Sequence, residues 1–199
     1  MRTLSRWRGF MELYINGVMT THIETERLIL REWRDEDLAP FARMNGDPLV
    51  MEFLPRVLDE KTTARHMKEF QKHFKVHGYG LYAVEIKETG EFAGFVGLNT
   101  VDFKSHFTPA IEIAWRLDYE YWGKGYGSEA AKAVIAHAFN GLGLRELVAF
   151  TVHDNARSRH LMEKIGMTYD AKGDFDYPAL KKGHPLGRFV LYRIQKPKK

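Results

Sequence analysis

Cysteine is absent from the 199 residues. Its absence excludes disulfides, cysteine-ligated zinc, iron–sulfur clusters and any acyl intermediate on a thiolate. No hydrophobic run approaches membrane-spanning length. At the amino end Glu12 and Asn16 interrupt the apolar stretch that an export signal needs, despite Arg2, Arg6 and Arg8 before it. A chain without disulfides and without such a signal is expected in the cytoplasm. No sign of charge dominates either: 30 Lys and Arg against 26 Asp and Glu leave +4. That small excess favours anionic ligands without amounting to a nucleic-acid-binding patch. Internal repeats and low-complexity linkers are missing too, so one domain is expected at this length.

The composition that remains, 44% hydrophobic and 28% charged, is that of a folded globular protein. Residues 1–20 show no clear period and read as a loosely attached, poorly ordered extension to a single domain over 21–199. Ile23–Arg31 reads as a strand, after which Asp35 caps a short helix that runs out near Gly46. A longer helix opens near Asp59, with Met67, Phe70 and Phe74 on one side, and stops at Gly78. From Gly80 the period becomes two, turning at Glu88–Glu91, which predicts a hairpin. The strand AIEIAWRL then places Ile111, Ile113, Trp115 and Leu117 on one face, and Glu112, Ala114 and Arg116 on the other. The loop DYEYWGKGYG feeds the helix SEAAKAVIAHAFN, the strand LVAFTV follows, and Asn155 opens a helix that Gly166 ends. Closing strands are expected near Met167–Tyr169 and Arg188–Ile194. The order describes a mixed α/β fold.

The segment Trp122–Ser128, WGKGYGS, is the most informative. Gly123, Gly125 and Gly127 leave the backbone bare for an anion, and the helix that follows adds its positive end. A glycine-rich turn needed only for packing stands level with that reading. The loop is not a P-loop, because Gly125 follows Lys124 where a hydroxyl is needed. It is not a dinucleotide fingerprint, because Ser128 stands where the third glycine belongs and Glu146 precedes the next strand instead of ending it. No serine has the flanking glycines of a nucleophile elbow. His66, His73 and His77 share a helix face and read as solvated groups rather than metal ligands. The KPKK tail and Lys181–Lys182 read as solvated charge.

Together these segments resemble the GNAT acetyltransferase superfamily, and within it the RimJ/RimL-like branch that includes ribosomal-protein N-terminal acetyltransferases. The resemblance runs from about Thr21 onward through IETERLILR, AIEIAWRL, YWGKGYGSEA, NARSRHLMEKIGM and FVLYRI, in the family's order. It implies a mostly antiparallel twisted sheet, helices on both faces, and a parallel βαβ crossover that forms the cofactor cleft. It implies acetyl-CoA as cofactor, leaving coenzyme A as product. The amides of Gly123, Gly125, Gly127 and Ser128 would meet its pyrophosphate, with Lys124 supplementing the charge. Main chain around Leu117 and the side chain of Asn155 would meet its pantetheine arm, Asn155 being equally suited to a plain helix cap.

The implied activity is acetyl transfer to a primary amine, on a small molecule or a protein N-terminus, without a covalent enzyme intermediate. Glu112 matches the carboxylate that takes the amine proton, an ordinary ion pair being the alternative. Ser158, one turn beyond Asn155, is the candidate proton donor to the sulfur, or else a packing serine. Many relatives place a tyrosine acid where Met162 stands; Tyr126, Tyr169 and Tyr177 are weaker substitutes, Tyr126 also falling within the cofactor loop. Asp102, Asp174 and Asp176 either attract a cationic amine or are loop surface. A non-catalytic acyl-CoA binding or sensing module is the other functional class, and no membrane or nucleic-acid partner is expected. Monomer and homodimer both remain open.

Overall fold

The computed structural model describes residues 11–15 and 18–198. Of the expected extension, residues 1–10 and 16–17 lie outside the described residues. Met11–Ile15 (β1) and Val18–Glu24 (β2) pair antiparallel. The strand expected over Ile23–Arg31 is two strands instead: β2 ends at Glu24 and β3 is Leu28–Arg31. Thr25 makes the break, because its hydroxyl accepts the Leu28 N–H at 2.9 Å while its own N–H donates to the Leu28 carbonyl at 3.0 Å. These local bonds replace ladder bonds and reverse the chain.

Asp35–Asp37 is a 3₁₀ turn ahead of α1 (Leu38–Gly46). The acid that ties down this helix start is Asp37, not the expected Asp35. Its carboxylate accepts the Arg34 N–H at 2.8 Å and both terminal nitrogens of Arg31 at 2.8 and 2.9 Å. Arg31 also donates to Glu85 at 2.6 Å, so one buried guanidinium joins β3, the turn and the next strand. Asp59 caps α2 (Glu60–His77) by accepting the Thr62 N–H at 2.7 Å, and Gly78, at φ 73°, ends it in the left-handed conformation.

Leu81–Ile86 (β4) and Phe92–Thr100 (β5) form the expected hairpin, and β5 pairs antiparallel with β6 (Ile111–Leu117). α3 runs Tyr126–Asn140, two residues earlier than its expected start at Ser128, so Gly127 and Ser128 lie in its first turn. β7 (Glu146–Val152), α4 (Ala156–Lys164), β8 (Thr168–Tyr169), β9 (Phe175–Asp176) and β10 (Arg188–Gln195) complete the chain. Alternation alone did not reveal β9, a two-residue bridge formed only because β10 lies beside it.

The strands follow the order β1-β2-β3-β4-β5-β6-β7-β10-β8, with β9 on β10. Every pair is antiparallel except β6 with β7, which α3 joins in the crossover. On one face Phe95 of β5 meets Trp33, Phe41 of α1 and Phe70 of α2, with ring centroids 5.5 to 6.4 Å apart. On the other, the small residues Ala130, Ala131, Val134 and Ala138 bring α3 down onto the sheet, and all four are fully buried. α3 contacts α4 in turn, so α1 and α2 cover one face and α3 and α4 the other. A separate small cluster, Val101, Phe107, Val148, Phe175 and Leu191, fills the space under the 101–110 loop.

Candidate active site

β6 and β7 share one register position, Glu112 opposite Val148, and then part. Past that point the two strands leave an edge of β6 open toward β7. A cleft of about 1020 Å³ occupies the gap, bounded by β6, the glycine loop, the ends of β7 and α4, and the 47–58 segment with α2.

The glycine loop forms one wall. Gly123 and Gly125 have φ of 74° and 84°, values that L side chains rarely adopt. A Cβ at Gly123 would touch nothing within 4 Å, and one at Gly127 would only graze Leu117 and Leu161 at 3.4 Å. Bare backbone at the start of a 15-residue helix is a geometry that favours an anion. The indole N–H of Trp122 donates to the Leu117 carbonyl at 2.8 Å, pinning the loop to β6. Arg27 supports it from behind, donating to the Lys124 carbonyl at 3.0 Å while pairing with Glu129 at 2.7 Å and lying 4.6 Å over the Tyr126 ring. Glu129 is held below the usual carboxylate pKa: burial opposes the lowering, and hydrogen bonds from Thr25 and Arg27 overcome it.

Asn155 carries the helix cap expected of it, accepting the Ser158 N–H at 3.1 Å. One N–H of its amide donates to Thr151 at 3.1 Å, which leaves a second for a ligand. Ser158 and Asn155 both line the cleft, as do Leu117, Gly123, Gly125, Tyr126, Gly127 and Ser128. Lys124 does not: its ammonium sits over the Tyr121 ring at 5.3 Å.

Glu112 faces the cleft from the strand face opposite Ile113. Burial, and secondarily the negative charge of Asp102, push its carboxyl up to about 8. Tyr177, beside the same pair, is also raised, by burial first and then by Glu112 and Asp102. Of the three helix histidines only His66 reaches the cleft; His73 is bound to the Tyr79 carbonyl at 2.9 Å. Among the described residues no three His or acidic side chains gather as a metal site.

The Acetyltransferase (GNAT) domain model matches residues 27–168. The chain belongs to the GNAT acetyltransferase family. This GNAT enzyme is similar to the uncharacterized N-acetyltransferase YnaD of Bacillus subtilis, 29% identical over 146 residues, which are 73% of this chain and 82% of YnaD. It is also similar to an acetyltransferase structure from Agrobacterium tumefaciens, 27% identical with a TM-score of 0.70 over 94% of this chain and 99% of that one. RimL, a ribosomal L7/L12 alpha-N-protein acetyltransferase solved in complex with coenzyme A, shares the fold at 18% identity and TM-score 0.69, over 86% of this chain and 95% of RimL. The acetyltransferase has no described helix long and apolar enough to cross a membrane.

Three arginines in or behind the cleft walls were not singled out from the sequence as part of the site. Arg27 lies about a hundred residues before the loop it supports, and nothing local marks it. Arg157 lies over Trp122 at 4.7 Å and pairs with Glu52, a partner that only tertiary contact supplies. Arg116 was legible only as a member of the Glu112 face of β6.

Proposed function

We propose that this enzyme moves the acetyl group of acetyl-CoA to a primary amine by direct attack. The observation that carries the reading is the placing of Glu112, with its raised pKa, in the same cleft as the bare glycine loop. The loop fits the cofactor's pyrophosphate on its own geometry, since open space lies where a Cβ of Gly123 would be and α3 begins just beyond. In this reading the amides of Gly123, Gly125, Gly127 and Ser128 hold the phosphates. The open edge of β6 up to Leu117 and the second amide N–H of Asn155 hold the pantetheine arm. Tyr126 braces the loop under Arg27, and Lys124 adds positive charge from the outer side of the loop.

When bound, acetyl-CoA supplies an acyl group already activated as a thioester. Glu112 takes the proton released as the amine nitrogen forms its bond to the acetyl carbon. The carbon–sulfur bond breaks, and the Ser158 hydroxyl supplies the proton that the departing sulfur needs. Ser158 is reprotonated from solvent through the open cleft, and the amine proton held on Glu112 leaves the same way. A carboxylate of pKa near 8 is a stronger base than an ordinary glutamate and suits an amine that must lose a proton near neutrality.

Calorimetric titration with acetyl-CoA, run on the wild type and on Gly125→Glu, tests the reading. The new carboxylate would repel the pyrophosphate and disturb a backbone at φ 84°. Binding to the wild type alone, followed by acetylation of an amine in a screen, is the expected result. No binding by the wild type would sink it.

A further inference from the structure

Two arginines line the cleft, and they differ in what neutralises them. Arg157 is paired with Glu52. Arg116 is not: among the described residues no carboxylate lies within ion-pair distance of it. Its guanidinium donates one bond, at 2.6 Å, to Oδ1 of Asn45, and its Cζ lies over the Phe95 ring, 5.3 Å from the centroid. Asn45 is fully buried, and its Nδ2 donates to the buried Thr63 hydroxyl at 3.2 Å, which fixes Oδ1 toward Arg116. The guanidinium is therefore held in place by a neutral amide and a ring. Its other N–H donors have no protein partner among the described residues and are left for the cleft. Burial lowers its pKa to about 10, with no acid counteracting it. His66 and Glu69 of α2 line the same end of the cleft, and Glu69 is not paired with Arg116.

Glu112 and Arg116 stand on the same face of β6, four residues apart, so their backbones are separated by about 13 Å at the usual rise per residue. Asp102 adds a second carboxylate at the Glu112 end. The cleft thus carries two carboxylic acids at one end of the strand and, at the other, a guanidinium with no acid paired to it among the described residues.

We propose that the acceptor is a small aminocarboxylate, whose carboxylate Arg116 binds while its amine is presented toward Glu112. A guanidinium offers paired donors that match a carboxylate, and desolvation makes an unpaired one seek an anion. The same charge disfavours polyamines, which would bring a second cation to this end. The proposal deepens the acetyl-transfer reading and rests on it.

The test measures initial rates with acetyl-CoA against four groups of acceptors: α-amino acids, ω-amino acids of increasing chain length, the amide and decarboxylated counterpart of each, and short peptides with blocked carboxyl ends. At least one aminocarboxylate is expected to be acetylated with kcat/KM roughly tenfold to a hundredfold above its amide, the range expected for a charged hydrogen bond. Arg116→Gln is expected to raise the KM for that acid by a similar factor and to bring the acid-to-amide ratio toward one, with less than about a twofold change in the KM for acetyl-CoA. Arg116→Lys, which keeps the charge but not the fork, should fall between them. Circular dichroism melts of both variants separate misfolding from lost recognition, and the wild-type ratio of acid to amide needs no variant at all. Amides, simple amines or blocked peptides acetylated as well as the acids, or no aminocarboxylate acetylated, would overturn the role of Arg116 while leaving acetyl transfer standing. Failure of the wild type to bind acetyl-CoA by calorimetry would instead overturn the underlying reading.

Discussion

Replacing Glu112 by Gln separates its proposed role as the base from its cost to the fold. The native carboxyl titrates near 8, against 4.5 for an ordinary glutamate. Full transfer of that difference into stability would be about 5 kcal/mol, at about 1.4 kcal/mol per tenfold change in proton affinity. The side chain faces an open cleft that admits water, so about 2 kcal/mol is the better expectation. The sign follows from proton counting. Between the unfolded value of 4.5 and the native value of about 8 the folded state binds the extra proton, so wild-type stability falls as pH rises through that window. Gln has no such dependence. Thermal melts of both proteins at about pH 5 and about pH 9 should show the variant gaining roughly 4–8 °C relative to wild type at the higher pH. Turnover should move the other way. Wild-type kcat at saturating amine should climb about tenfold per pH unit until pH 8 or so, and the variant should lose that limb along with roughly 10²- to 10³-fold in rate. Parallel pH dependence of the two melts would refute the buried-carboxyl argument. Turnover within about twofold of wild type, with the limb intact, would refute the base.

Substitutions at three further positions probe the frame around the site. Arg31→Ala strands Asp37, which is only 2% exposed, without its bidentate partner; urea denaturation should show a loss of about 3–5 kcal/mol, and a loss below about 1 kcal/mol would contradict the clamp. Trp122→Phe keeps a ring for Arg157 but removes the bond to the Leu117 carbonyl, so stability should fall by about 1 kcal/mol and acetyl-CoA affinity with it; unchanged affinity by calorimetry would show that the loop does not need the pin. Asn155→Ala removes the α4 cap and the bond to Thr151, and should cost about 1–2 kcal/mol in a melt. Asn155→Asp keeps the cap acceptor but lacks the amide N–H donors, so a loss of acetyl-CoA affinity shared by both variants would mark the ligand contact, and one confined to Asn155→Ala would mark the cap.

The sequence by itself determined what depends on neighbours in the chain. The glycine spacing of Gly123, Gly125 and Gly127, the caps at Asp59 and Asn155, the stop at Gly78 and the alternation along Ile111–Leu117 are short-range signals, and the structure carries each of them. Where two local preferences competed, the sequence was ambiguous: a Leu and Ile run concealed the turn at Thr25, and three acids in a row concealed which one, Asp37, ties down α1. Tertiary structure alone decided what depends on distant partners. The parting of β6 from β7 creates the cleft, burial beside Asp102 pushes the Glu112 carboxyl up to about 8, and Asn45 on α1 holds Arg116 with no carboxylate within ion-pair distance among the described residues. Desolvation and pairing act through space, and the linear order of residues does not say which charges will share one cleft.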